Sequence, residues 1–141
     1  MNHASIIDGV KLSGARARVF PHSDCAALDR VLGEVCGGES RVLLALDGVF
    51  SMDGDIAPLA SMVEIAQHHG AMVLLDDAHG TGTLGEGGRG AGAHCGVVDR
   101  VDIQLGNLAK GLGSFGAYVA GSRELRDLLI NTARSFIFTC A

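Results

Sequence analysis

Two short clusters of this sequence hold side chains able to do chemistry. LLDDAHG brings Asp76, Asp77 and His79 together, and GNLAKGLGSFGAYVAG holds Lys110. Lys110 is one of only two lysines, with Lys11, and it is the one charged residue between Asp102 and Arg123. A lysine set among Gly, Ala and Leu is expected to be desolvated, which disfavours the ammonium form and frees the amine as a nucleophile or base. The glycines beside it suit a backbone that comes close to a ligand. Asp76, Asp77 and His79 are types that cap a turn, contact a ligand or hold a metal. No third partner at metal-ligand spacing accompanies them, since His68 and His69 fall at a helix end where the dipole favours them, so no metal is expected.

The elements that must position these clusters follow from apolar spacing. Ala27, Leu28, Val31, Leu32 and Val35 repeat at helical intervals after Ser23, a candidate N-cap, and Gly37 ends the run. Pro58 opens a second helix, striped by Leu59, Met62, Val63 and Ala66 and closed by Gly70. Ser122 caps a third, with Leu125, Leu128, Leu129, Thr132, Ala133 and Phe136 on one face and Arg123, Arg126, Asp127, Asn131 and Arg134 on the other. Apolar runs without alternation, Val42 to Leu46, Met72 to Leu75, Val101 to Leu105 and Tyr118 to Ala120, predict strands of a sheet covered on both faces. Strand 42–46, helix 58–69 and strand 71–76 in succession predict a right-handed βαβ crossover, hence an α/β fold with a mostly parallel sheet and flanking helices. Asp76 and Lys110 then follow two successive strands and face one crevice at the carboxyl ends, where ligands bind in open α/β sheets.

GTGTLG, Gly80 to Gly85, matches the G-x-G-x-x-G dinucleotide fingerprint letter for letter. That fingerprint needs its third glycine in an opening helix whose N-terminus faces the pyrophosphate. Here EGGRGAGAHCG follows, in which no helix is expected to start, and Asp76 and Asp77 would repel a pyrophosphate at this turn. A dinucleotide-dependent oxidoreductase is therefore the weaker alternative.

Composition narrows the partners. The chain has 141 residues, 48% of them hydrophobic, with 11 basic against 16 acidic side chains and a net charge of −5. No Lys or Arg cluster exists to neutralise a phosphate backbone or an anionic surface, and no apolar run approaches the ~20 residues of a membrane helix. Neither nucleic acid nor membrane is an expected partner. Cys25, Cys36, Cys95 and Cys140 form no C-x-x-C pair and read as buried free thiols of a reducing cytoplasm. Glycine, at 21 residues, is about twice its average usage of ~7% and has no collagen-like period.

A lysine amine and a carboxylate facing one crevice are what pyridoxal 5'-phosphate (PLP) needs: the amine for a Schiff base, the acid to keep the pyridinium nitrogen protonated. GVFSMDGDIAPL, LLDDAHGTGTLGEGGRG and GNLAKGLGSFGAYVAG, in that order, with NHASIIDG before them and ARSFIFTCA after, resemble the alpha-oxoamine synthase family of fold-type-I PLP enzymes over essentially the whole chain. The resemblance implies that Lys110 is the Schiff-base lysine, Asp76 the pyridinium partner, and His79 a contact of the ring hydroxyl. It further implies that Ser51 touches the cofactor and that Thr139 reaches a phosphate across a homodimer interface. Asn107 stands where the family has a hydroxyl phosphate ligand, and Ala109 where it has serine or glycine. SFGAYVAGS and ARSFIFT resemble the biotin-biosynthesis branch, which condenses L-alanine with a pimeloyl thioester, on coenzyme A or a carrier protein, with loss of carbon dioxide. Glycine C-acetyltransferase and aminolevulinate synthase are alternatives. Residues 1–141 would be a single, partial large domain, and an inactive remnant or split fragment is the reading from another class.

Overall fold

The computed structural model describes residues 2–37 and 41–138. Its elements run α1 (Ala4–Ser13), α2 (Cys25–Val35), β1 (Leu43–Asp47), α3 (Leu59–His68), β2 (Met72–Asp76), α4 (Ala91–His94), β3 (Ile103–Asn107), β4 (Ala117–Gly121), α5 (Arg123–Thr132) and α6 (Arg134–Ile137). The four strands form one sheet in the order β1-β2-β3-β4, parallel across the first three and antiparallel at β4. The mostly parallel α/β expectation holds, each strand lying within about two residues of its apolar run.

Helices α2 and α3 cover one face of the sheet. Leu28 and Leu32 of α2 and Leu59, Met62, Val63 and Ala66 of α3 pack with Leu44, Leu46, Val73 and Leu75 into one buried cluster. The other face is not covered as the apolar runs predict. Leu43 is 47% and Met72 42% exposed, and β4 is exposed at Ala117, Val119, Ala120 and Gly121. The amphipathic helix also departs from expectation. Ser122 does cap it, accepting from the Leu125 N–H at 3.2 Å, but the helix ends at Thr132 because Ala133 is extended (φ −75°, ψ 101°). Asn131 and Thr132 bond side chain to carbonyl on Asp127 and Leu128, offering the backbone a competing partner in that last turn. Leu128 stays 57% and Phe136 62% exposed.

Three local readings change. The cap of α2 is Asp24, whose Oδ1 accepts from the Ala27 N–H at 2.9 Å; Ser23 instead sits at φ 54° with its hydroxyl buried and unpartnered. Helix α1 is not among the helices that apolar spacing predicts; it buries no residue. Within the glycine-rich segment a single helical turn, α4, does begin, after Gly90. Cys25, Cys36 and Cys95 are half-buried free thiols, while Cys140 lies outside the described residues. No helix among the described residues is long and apolar enough to cross a membrane.

Replacing the cap, Asp24→Ala, is expected to cost about 1 kcal/mol in urea unfolding. Ser23→Gly should leave stability unchanged or raise it, because glycine carries no penalty at that φ. Equal losses at the two positions would contradict this assignment.

Candidate functional site

The three parallel strands end side by side, and register sets which residues meet there. Asp76 lies opposite Asp47 on β1 and opposite Leu105 on β3. Past these ends the chain turns through three loops, and an open cleft forms between them. It is lined by Asp76, His79, Lys110, Ser51 and Asn107, together with Asp47 and His3. The structure thus gathers Asp76, His79, Lys110, Ser51 and Asn107 and leaves out Asp77, the other acid of the cluster. Thr139 lies outside the described residues.

Each side chain has a local reason for its place. Asp76, 6% exposed, accepts from the Ala78 N–H at 3.0 Å, which turns the chain sharply after β2. His79 follows on that turn. Ser51 sits in a reversal closed by Phe50 N–H to the Asp55 carbonyl and Gly54 N–H to the Phe50 carbonyl, with the Phe50 side chain buried beneath. Asn107 ends β3, and its Oδ1 accepts from the Ala109 N–H at 2.7 Å, leaving the amide NH₂ as the group able to reach a ligand. Lys110 rides the loop from β3 to β4, closed by Leu108 N–H to the Gly116 carbonyl and Ser114 N–H to the Leu108 carbonyl.

Lys110 Nζ lies 2.8 Å from His79 Nε2. An ammonium has donors only, so with Lys110 charged the imidazole accepts at Nε2 and carries its proton on Nδ1. The expected desolvation of Lys110 is not met: the side chain is exposed, because the loop of small residues around it supplies few atoms to cover it. Its glycine neighbour also has another reason. A Cβ on Gly111 would stand 2.6 Å from the Thr81 carbonyl oxygen, so this glycine lets the lysine loop lie on the loop after His79.

His3 and Asp47 are cleft residues that sequence reasoning missed. The His3 N–H donates to Asp47 Oδ2 at 3.0 Å and the His3 Nδ1 lies 2.8 Å from the Ser5 hydroxyl, so the start of α1 is fastened to the end of β1. The signal was available in the acid that ends LLALD, as another ends MVLLD. Burial pushes the Asp47 carboxyl above the ordinary range and the charge of Asp76 adds to this, while the His3 N–H opposes it.

Gly80 to Gly85 opens no helix. Gly82 and Gly85 are left-handed (φ 83° and 73°) and a short 3₁₀ turn follows at Glu86–Gly88, so the helix N-terminus that a pyrophosphate requires is missing from this stretch. His22, Asp53 and Asp55 bring one potential ligand atom each within 4.8 Å of one another, and none of the three lines the cleft.

The family model for aminotransferase class I and II matches residues 1–141. The chain belongs to the aminotransferase class I and II family. Among curated members, the 8-amino-7-oxononanoate synthase of Citrifermentans bemidjiense is 58% identical over 99% of this chain and 36% of its own length. Among solved structures, the Sphingomonas wittichii serine palmitoyltransferase superposes with TM-score 0.92 at 40% identity, over 99% of this chain and 35% of that one. The S. paucimobilis serine palmitoyltransferase with bound PLP–myriocin aldimine gives 0.92 at 38% identity, over the same shares. The chain therefore spans little more than a third of these relatives, and its fold is that part of a fold-type-I PLP enzyme of the aminotransferase class I and II family.

The Asp47 shift has a definite sign. A carboxyl whose pKa is raised on folding costs stability as pH climbs from its unfolded value, about 3.9, through the folded one, and the full cost persists above. Asp47→Asn should therefore gain on the wild type across that window in urea unfolding. Parallel pH profiles of the two chains would contradict it.

Proposed function

We propose that this chain forms the strand-end part of the active site of a PLP-dependent C-acyltransferase of the 8-amino-7-oxononanoate synthase type. The reaction that the resemblance to the biotin-biosynthesis branch implies joins the alpha carbon of L-alanine to the acyl carbon of a pimeloyl thioester, releasing carbon dioxide and the thiol. The observation that carries the reading is the convergence of the Lys110 amine, the nearly buried Asp76 carboxylate and the His79 imidazole on a single strand-end cleft. A homodimer, with Thr139 reaching the partner's cofactor phosphate, and a cytoplasmic location belong to the same reading.

The donor set fits the cofactor. PLP, when bound, supplies an electron-withdrawing ring that stabilises negative charge at the substrate alpha carbon. Lys110 Nζ is the amine that would hold it covalently, and the same amine would serve as the base for the alpha proton. Asp76 is nearly buried at the adjacent strand end, so its charge would act on a protonated ring nitrogen through a poorly screened medium. His79 Nε2 would offer a hydrogen bond to the ring hydroxyl, and the Ser51 hydroxyl a further contact to the cofactor. The Asn107 amide offers one to the phosphate, with a shape and reach unlike a hydroxyl's.

Titration with PLP, followed by the visible absorbance of the lysine-linked cofactor, tests this reading. The wild-type chain should develop the band, Lys110→Ala should not, and Asp76→Ala should need at least about tenfold more cofactor, one lost charge contact being worth more than ~1.4 kcal/mol. An unchanged band in Lys110→Ala would overturn it.

A further inference from the structure

Asp77, the second acid of the DDAH motif, has no place among the cleft residues. It is fully buried at 0% exposure. Its backbone extends the sheet, with the N–H donating to the Leu105 carbonyl at 2.7 Å and the carbonyl accepting from Thr81 N–H at 2.9 Å. Its side chain passes beneath the loop that leaves β2. Oδ1 accepts from the Ala91 N–H at 3.0 Å, and Oδ2 lies 3.3 Å from its donor, Gln104 Nε2 on β3. The loop closes directly over this carboxylate: a Cβ on either Gly80 or Gly90 would overlap its oxygens. Gly48, in the turn that leads to Ser51, also leaves room for it: a Cβ there would stand 3.2 Å from Oδ1.

A buried carboxylate is costly unless it is hydrogen-bonded, and burial pushes the Asp77 carboxyl above the ordinary range. A hydrophobic side chain of that size would fill the space without the cost, so the acid needs another reason to be there. What it does here is join four segments: the end of β2, the Gly80 turn, the start of α4 and β3. His79 lies within two residues of it, on the one stretch of loop whose far end is tied at Ala91.

We propose that Asp77 is a positioning residue, the template about which loop 78–91 closes, and that it thereby fixes His79 against Lys110 at the mouth of the cleft. This rests on the reading of the cleft as a PLP site for its importance to the reaction, but the positioning itself exists without cofactor. Asparagine should substitute well. Its oxygen accepts from Ala91, and the Gln104 amide can turn to present oxygen to the new NH₂. Glutamate should not, because Gly80 and Gly90 leave no room for another methylene.

The test has two arms on the same chains. In the cofactor-free protein, Lys110→Ala should move the His79 ring resonances in NMR spectra. That Lys110-dependent shift should vanish in Asp77→Ala and return in Asp77→Asn. With PLP added, Asp77→Ala should raise the dissociation constant at least roughly tenfold, as losing an orienting neighbour of a bound group commonly does, and Asp77→Asn should restore it. A folded Asp77→Ala chain that keeps the shift overturns the proposal. So does an Asp77→Asn chain that loses it. If Asp77→Ala does not fold, Asp77→Ser, which retains a hydroxyl acceptor in a smaller void, takes its place in both arms. A wild-type chain that binds no PLP would overturn the cofactor reading alone, because the NMR arm still decides the role of Asp77.

Discussion

The cleft depends on the close packing of two glycine-rich loops. Gly111 lies against the Thr81 carbonyl, the left-handed Gly82 lies against Leu112, and the ring of Tyr118 crosses Gly106 with its hydroxyl 3.2 Å from that of Thr81. A side chain at Gly111 would force the loops apart, and one at Gly106 would displace the tyrosine ring. Such a gap would break the 2.8 Å approach of Lys110 to His79, since hydrogen bonds weaken steeply beyond ordinary distances. The glycine excess therefore has a steric origin at these positions, which is neither general flexibility nor a dinucleotide turn.

Beneath the loops, the parallel register does the coarse positioning. Asp47, Asp76 and Leu105 are forced into one row because β1, β2 and β3 run the same way in this register. Two nearly buried carboxylates on neighbouring strands repel each other, and the fold tolerates this by giving each a backbone donor, His3 N–H for Asp47 and Ala78 N–H for Asp76. The same row makes α1 part of the site. Although it buries no residue of its own, the two residues before it, Asn2 and His3, are tied to Ala45 and Asp47.

Much of this was legible in the sequence, for identifiable reasons. Continuous apolar runs mark all four strands, and the two polar clusters fall at strand ends, so Asp76, His79 and Lys110 come together from pattern alone. Ser51 and Asn107 came from resemblance alone, since their spacing carries no signal of its own. What local pattern could not give was the third dimension of the loops. Asp77 and Asp76 look alike in LLDDAHG, yet the pleat turns one to the cleft and the other beneath a loop. Ser23 and Asp24 are both good caps by type, and only the backbone angles choose between them. The exposure of Lys110, of the second sheet face and of the α5–α6 apolar residues was also hidden, because an apolar pattern records what a segment would bury and not whether a neighbour is present. That exposure is consistent with a chain spanning about a third of its relatives' length.

The central claim, that the strand-end cleft holds PLP on Lys110, is tested most directly by reductive trapping. The chain has only two lysines, so borohydride treatment after incubation with PLP, followed by peptide mass mapping, gives an unambiguous answer. The account predicts the pyridoxyl adduct on the peptide containing Lys110, with Lys11 unmodified. An adduct on Lys11 or the terminal amine, with Lys110 unlabelled, would contradict it.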